Sequence, residues 1–303
     1  MTVFFAGFDG GGTGTRLRIT TSDGTVVGSG RGGSANIATD PLMAWHSLSD
    51  AFACASSQIP PMARIWCAAG LAGTESFGAR EAFLAMRPAG MPKLELVSDA
   101  HTSCLGAHGG EAGAIMAPGT GSVGFALCDD GQGGMLPRRV GGWGFPQGDE
   151  GSGAWIGRCA VAAMLQAHDG RIEPDALTES VWTRLVSEGA EPLSWAIGQR
   201  ASAFATLAPL VIETRQDSPH ARAILRDAGA QIDAHIAALL RPPGFDALGL
   251  CMLGGLGSIL ADMLSPRWKS RLRAPRGDAV DGALQLARRY RTISIEQSGG
   301  ELS

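Results

Sequence analysis

The chain has 303 residues, 45% apolar and 18% charged, enough to bury a large core across two domains. A net charge of −4 gives no electrostatic footprint for nucleic acid or an anionic membrane, and no apolar run is long enough to cross a bilayer. Glycine stands out at 44 copies, whereas the cations are almost all arginine, with Lys93 and Lys269 the two lysines.

Val3–Phe8 reads as a buried strand ended by Asp9, without the basic flank of an export signal. Gly10–Gly14 reads as a tight turn, Arg16–Thr21 as a second strand, Asp23-Gly24 as a hairpin turn and Thr25–Gly30 as a third strand. A helix is predicted over Pro41–Ser57, then a strand over Arg64–Ala69 and a small-residue loop, Gly70–Gly73. A helix over Thr74–Met86 and a strand over Lys93–Ser98 follow, with a short helix after Asp99. The opening device then restarts: strand Ala114–Met116, turn Pro118–Ser122, strand Val123–Leu127, turn Asp130-Gly131. The remainder reads as helices over Ser152–His168, Asp175–Ser187, Leu193–Glu213 and Ser218–Leu240. A strand, Leu248–Leu253, then runs into Gly254-Gly255-Leu256-Gly257-Ser258 and a helix. A final amphipathic helix covers Asp281–Tyr290, and the polar tail from Thr292 is expected to be loose. The restart places a domain boundary near residue 115, giving domains at 1–115 and 116–280.

Six scattered cysteines (Cys54, Cys67, Cys104, Cys128, Cys159, Cys251) form no CxxC pair and read as reduced thiols of a cytoplasmic protein.

The glycine turns carry the chemistry. A P-loop needs a lysine that reaches the outer phosphates, and neither lysine is near a glycine cluster. A dinucleotide fingerprint leads into a helix, but Gly10–Gly14 leads into the alternating strand Leu17-Arg18-Ile19-Thr20. What remains is a hairpin turn whose amides and threonine hydroxyls face a polyphosphate, with glycine allowing close backbone approach. Gly11, Gly12 and Thr13 form one such turn, and Gly119, Thr120 and Gly121 the other. The two together could clamp ATP. Asp9, at a strand end, suits the water shell of Mg²⁺, which takes few carboxylates. Gly254 and Gly255 follow a buried strand and offer a flat surface for adenine.

Three segments together resemble the actin-like ATPase superfamily of sugar kinases: Asp9-Gly-Gly-Gly-Thr-Gly-Thr15, Pro118-Gly-Thr-Gly-Ser122 and Leu253-Gly-Gly-Leu-Gly-Ser258. Within it, Gly141-Gly-Trp-Gly144 and Gly148-Asp-Glu-Gly-Ser152 resemble the N-acetylglucosamine kinase branch, grouped with the BadF/BadG/BcrA/BcrD ATPases. The resemblance implies an α/β chain of two ribonuclease-H-like domains around a central cleft, with the last helix, about 281–291, packing back on the first domain. The implied activity is ATP-dependent phosphorylation of the 6-hydroxyl of N-acetylglucosamine or glucosamine, with a homodimer possible by family habit.

Asp99 ends the strand Leu96-Val97-Ser98 and matches the family's general base; the bland alternative is that it caps the next helix. By the same resemblance, Asp149 accepts hydrogen bonds from sugar hydroxyls, while Gly142, Trp143, Gly144 and Asn36 line the sugar site. Trp143 could equally be core, and Asn36 a turn residue. Two other functions are open to such a chain. An activator of a radical dehydratase needs bridging cysteines, for which Cys128 and Cys159 are candidates by spacing; a sugar-sensing repressor needs an N-terminal DNA-binding module, for which the opening strand leaves no room.

Overall fold

Alternation decides the first strand. In the computed structural model, which describes residues 2–61, 63–187 and 191–297, β1 (Val3–Gly10) turns Phe4, Ala6 and Phe8 to one core cluster and Phe5 to another. β2 (Thr15–Thr21) and β3 (Val26–Gly32) continue antiparallel on one side of it. After α1 (Pro41–Ala55), β4 (Arg64–Leu71) pairs parallel with β1. After α2 (Ala79–Ala85), β5 (Leu94–Ser98) pairs parallel with β4, and α3 (Asp99–Ala107) follows at once. The sheet order is β3-β2-β1-β4-β5.

A second sheet, in the order β8-β7-β6-β9, is built from β6 (Gly113–Pro118), β7 (Ser122–Asp129), β8 (Met135–Gly141) and β9 (Leu250–Met252), with β6 and β9 parallel. Between β8 and β9 lie α4 (Gly153–His168), α5 (Ala176–Ser187), α6 (Pro192–Trp195), α7 (Ala201–Ala205), α8 (Ala208–Glu213) and α9 (Pro219–Leu239). The chain ends with α10 (Gly257–Ala261), α11 (Pro266–Lys269) and α12 (Ala279–Gln297). Two compact units result. The first holds Met1–Gly113, Leu127–Pro137 and Ala274–Ser303; the second holds Ala114–Ala126 and Arg138–Arg273.

Several boundaries differ from the sequence expectation for identifiable reasons. β4 runs on to Leu71, so Gly70 and Leu71 belong to the sheet and not to a loop. α2 begins at Ala79 and not at Thr74, because turns closed by Ser76 N–Gly73 O and Ala79 N–Ser76 O occupy the gap, with Gly73 and Gly78 at positive φ. The single helix expected over Leu193–Glu213 is three short ones; Gly198 adopts φ 73° and α8 restarts at a proline. β8 escapes a pattern search because it holds Pro137 and two arginines, which an edge strand tolerates. The tail from Thr292, expected to be loose, is helical to Gln297, and residues 298–303 lie outside the described set.

Much of the glycine excess is packing. Cβ atoms at Gly28, Gly30 and Gly32 would stand 1.9, 1.9 and 2.0 Å from the carbonyl oxygens of Ala55, Ala51 and Ser47. Two strand residues advance about 6.7 Å and four helical residues about 6 Å, so the ladder of α1 on β3 holds over three steps. Against the sheet's other face, a Cβ at Gly106 of α3 would lie 1.8 Å from Asp278 O, and one at Gly282 of α12 lies 1.9 Å from Thr102 O. Gly30→Ala, the central rung, is expected to destabilise the fold by about 3 kcal/mol, read as a lower urea midpoint.

Candidate functional site

In the first unit, the candidate residues gather at the carboxyl ends of the parallel strands β1, β4 and β5, where open α/β sheets place ligands. The register sets Asp9 beside Gly70 and Leu71 beside Ser98, so Asp9 and Asp99 flank β4 at the same sheet end. The turn Gly11–Gly14 closes with Gly11 N donating to Gly14 O at 3.0 Å. Ala35 N donates to Gly11 O at 2.9 Å and Ile37 N to Ala72 O at 3.0 Å, which draws Asn36 to this end as well.

Asp9 is held by an arginine. Arg16, directly opposite on β2, donates to Asp9 Oδ2 from Nη2 at 2.6 Å and from Nε at 3.1 Å. Arg16 Nη1 also meets Asp278 Oδ2 at 3.1 Å, while Arg18 pairs with Asp278 and with Asp281 Oδ1, the latter at 2.7 Å. Asp278 and Asp281 reciprocally accept each other's backbone N–H at 3.0 Å, capping α12. Burial pushes the Asp278 carboxyl up, but the Asp281 amide and the two arginines overcome this and hold it below the ordinary range. Sequence reasoning missed this chain of charges. Its signals are Arg16 and Arg18 two apart on one strand face and two aspartates three apart before an apolar helix.

Asp99 opens α3 without capping it. The cap is Ser98, whose Oγ accepts from His101 N at 3.3 Å, while Asp99 Oδ1 accepts from Ala100 N at 2.9 Å. The capping alternative thus falls to the neighbouring serine. Asn36 does serve as a turn residue: Oδ1 accepts from Ala38 N at 3.1 Å and Thr39 N at 3.3 Å. A Cβ at Gly73 would lie 2.5 Å from that oxygen.

His101, two residues past Asp99, is lowered to about 4 by burial and by the nearby Arg289 charge. The unfolded imidazole takes a proton near pH 6.5 and the folded one refuses it until about pH 4, so stability is full above 6.5 and declines between those values. The expected loss approaches about 3 kcal/mol at the acid end. His101→Gln should flatten the melting temperature over that window.

In the second unit, the turn Gly119–Gly121 between β6 and β7 sits on the N-terminus of α4. Gly153 N donates to Gly119 O at 2.8 Å and Ala154 N to Thr120 O at 3.1 Å, while Ser152 caps the helix. The Gly254 turn adjoins it through Leu256 N–Pro118 O at 3.2 Å. Gly254 adopts φ 77°, and a Cβ there would meet Pro118 O at 2.6 Å. Asp149, buried, holds φ 59°, a strained value for a non-glycine residue. Its Oδ1 accepts from Ser122 N at 3.4 Å.

The loop before Asp149 presents Trp143 to solvent at 76% exposure, which rules out a core role. Gly141, Gly142 and Gly144 all take positive φ, and Arg139 donates to Gly142 O with its guanidinium 5.8 Å from the Trp143 ring centre.

Four glycines stand apart from the packing ladders. At Gly11, Gly12, Gly119 and Gly255 a Cβ would meet nothing within 4 Å, and none has positive φ. Gly24, Gly131 and Gly170 also face open space but do hold positive φ. The fold itself thus makes no demand for glycine at those four turn positions. A cradle that any side chain would fill suits phosphate oxygens or a nucleobase approaching the backbone.

All six cysteines are free thiols, Cys67 being pushed up to about 12 by burial. Among the described residues no group of three or more His, Cys, Asp or Glu side chains forms a metal cage, and no helix is long and apolar enough to cross a membrane.

Comparisons with known proteins agree on one lineage. The model of the BadF/BadG/BcrA/BcrD ATPase family matches residues 6–284. Glucosamine kinase GspK of Vibrio cholerae is 32% identical over 289 residues, covering 94% of this chain and 95% of that protein. A Chromobacterium violaceum crystal structure, provisionally assigned as an N-acetylglucosamine kinase, is 39% identical with a TM-score of 0.82, over 94% of this chain and 98% of that one. A ROK family glucokinase from Streptomyces griseus, solved with glucose and AMPPNP, shares the fold at a TM-score of 0.52 and 14% identity, over 95% and 99% of the two chains. The mixed α/β fold with two sheets is thus that of the actin-like ATPases and ROK-type sugar kinases.

Proposed function

Because the chain belongs to the BadF/BadG/BcrA/BcrD ATPase family, we propose that it is an ATP-dependent amino-sugar kinase acting on the 6-hydroxyl of glucosamine or N-acetylglucosamine. The observation that supports this reading is the set of turn glycines, Gly11, Gly12, Gly119 and Gly255, at which neither packing nor a positive φ calls for glycine. Gly11, Gly12 and Thr13 in the first unit, and Gly119, Thr120 and Gly121 in the second, form the turns that receive phosphate oxygens; the Gly11 and Gly119 amides close those turns on Gly14 O and Gly121 O, and the threonine hydroxyls add donors. Gly254 and Gly255 take the adenine. Mg²⁺, when bound, would supply charge neutralisation at the phosphates, and Asp9, paired with Arg16, would hold its water shell.

Asp99 accepts the proton of the sugar's primary hydroxyl as that oxygen bonds to the γ-phosphorus and the bond from that phosphorus to the bridging oxygen breaks, with ADP as the leaving group. Asp149 takes hydrogen bonds from neighbouring sugar hydroxyls, Trp143 offers its exposed face to the ring, and Asn36 supplies its amide. The six free thiols fit the cytoplasmic location that this reading expects. The test is a coupled ADP-release assay over a panel of hexoses and amino sugars. Turnover with glucosamine or N-acetylglucosamine well above glucose is expected; turnover with none of them would overturn the assignment.

A further inference from the structure

On β3, glycines at 28, 30 and 32 pack under α1, so the alternate residues Ser29 and Arg31 belong to the sheet's other face. There Arg31 stands directly opposite Arg16 of β2, and Ser29 opposite Arg18. With Asp278, just before α12, these four residues line a cavity of about 400 Å³. Like charges directly opposite each other across an antiparallel pair work against the pairing, and three arginines meet on this small face. Two of them are answered within the chain. Arg16 is held by Asp9 and Asp278, and Arg18 by Asp278 and Asp281. Arg31 is exposed, and among the described residues its guanidinium makes no hydrogen bond or ion pair; the Ser29 hydroxyl makes none either. Asp278, the one carboxylate among the described lining residues, is already shared between Arg16 and Arg18.

From this geometry we infer that the cavity is a binding site for a phosphate dianion, either free or carried on a phosphomonoester. A guanidinium offers two parallel N–H donors to two oxygens of one phosphate, and a neighbouring hydroxyl supplies a third. Arg31 and Ser29, two apart on one face of a strand, provide that set. Arg18 adds its Nε, which the bonds from Nη1 and Nη2 to Asp281 and Asp278 leave unused. The volume falls within the range of small-molecule sites and admits a phosphate with a sugar-sized group attached. All of these residues belong to the first unit, and the inference does not depend on the kinase reading.

The experiment is calorimetric titration of inorganic phosphate and, separately, of glucosamine 6-phosphate into the full-length protein at fixed ionic strength. Saturating Mg²⁺–AMPPNP is present throughout, so that any phosphate site at the glycine turns is already filled. The wild type should bind one equivalent of at least one of the two anions saturably, and the tighter of them tells free phosphate from phosphomonoester. Arg31→Gln should raise that Kd about tenfold or more, the worth of a charge-assisted hydrogen bond. Because Arg31 is exposed and unpaired among the described residues, the variant should melt as the wild type does. Arg226→Gln, which removes the same charge from an exposed position on α9, should leave the Kd unchanged. No saturable binding of either anion by the wild type, undiminished affinity in Arg31→Gln, or an equal loss in Arg226→Gln would each overturn the inference. None of these outcomes touches the kinase assignment, which the ADP-release panel decides separately.

Discussion

Asp99→Asn should lower kcat by about 100- to 10,000-fold, the usual worth of a general base, with little change in the KM for sugar or ATP. Asparagine keeps the size and the hydrogen bond from Ala100 N but cannot take up the hydroxyl proton. The structure makes this a clean test. Ser98, not Asp99, caps α3, so the substitution leaves the helix cap in place while removing a favourable charge in the first helical turn, worth about 0.3–1 kcal/mol. The melting temperature should fall by roughly 1–4 °C at most. Near-normal turnover in a folded Asp99→Asn protein would dismiss Asp99 as the base. A large loss of kcat accompanied by unfolding would point to a structural role instead.

Gly119→Ala should leave the protein as stable as before, or more so by about 0.4–1 kcal/mol, and still cost about 100-fold in kcat/KM for ATP. No atom lies within 4 Å of the added methyl and φ is ordinary there, so the gain comes from a less disordered unfolded chain. The loss arises because the methyl occupies the space through which a phosphate oxygen would reach the backbone amides. Gly12→Val and Gly255→Ala should behave alike in sign. Gly30→Ala provides the opposite signature, a damaged fold with a site of unchanged chemistry. Thermal unfolding and ATP kinetics on the same samples separate the two kinds of glycine. Full activity in Gly119→Ala would show that nothing approaches that turn.

Those contrasts explain how much of the molecule was legible in the sequence. Strand–turn–strand units are written in short alternating runs punctuated by glycine, so β1, β2, β3, β6 and β7 emerge from local pattern. The turns Gly11–Gly14 and Gly119–Gly121 announced themselves by composition. Composition alone could not separate them from Gly28, Gly30, Gly32, Gly106 and Gly282, whose demand comes from a distant backbone at under 2.1 Å. The same limit hid the charges around Asp9. Arg16 and Asp278 are 262 residues apart and meet only because α12 lies by the first sheet. Gly198 and Pro209 broke a helix that periodicity had joined, and Pro137 concealed β8 as an edge strand. Asp149 could be suspected from GDEGS, but its positive φ and its seat on Gly121 are properties of the folded loop. Trp143 was ambiguous until its exposure was known.

The return of α12 to the first sheet also sets an order in time. Phe5 and Ala68 complete their small core only with Leu284 and Ala287, and the cap of that helix is what Arg18 grips. On a ribosome adding about 5–20 residues per second, the opening sheet therefore waits on the order of ten seconds or more for its last partner. The intervening residues, which close their own core, have time to finish first. A nascent chain of this protein can thus close the core between α1 and the opening sheet early, whereas the opposite face of that sheet is covered only once α12 has been made.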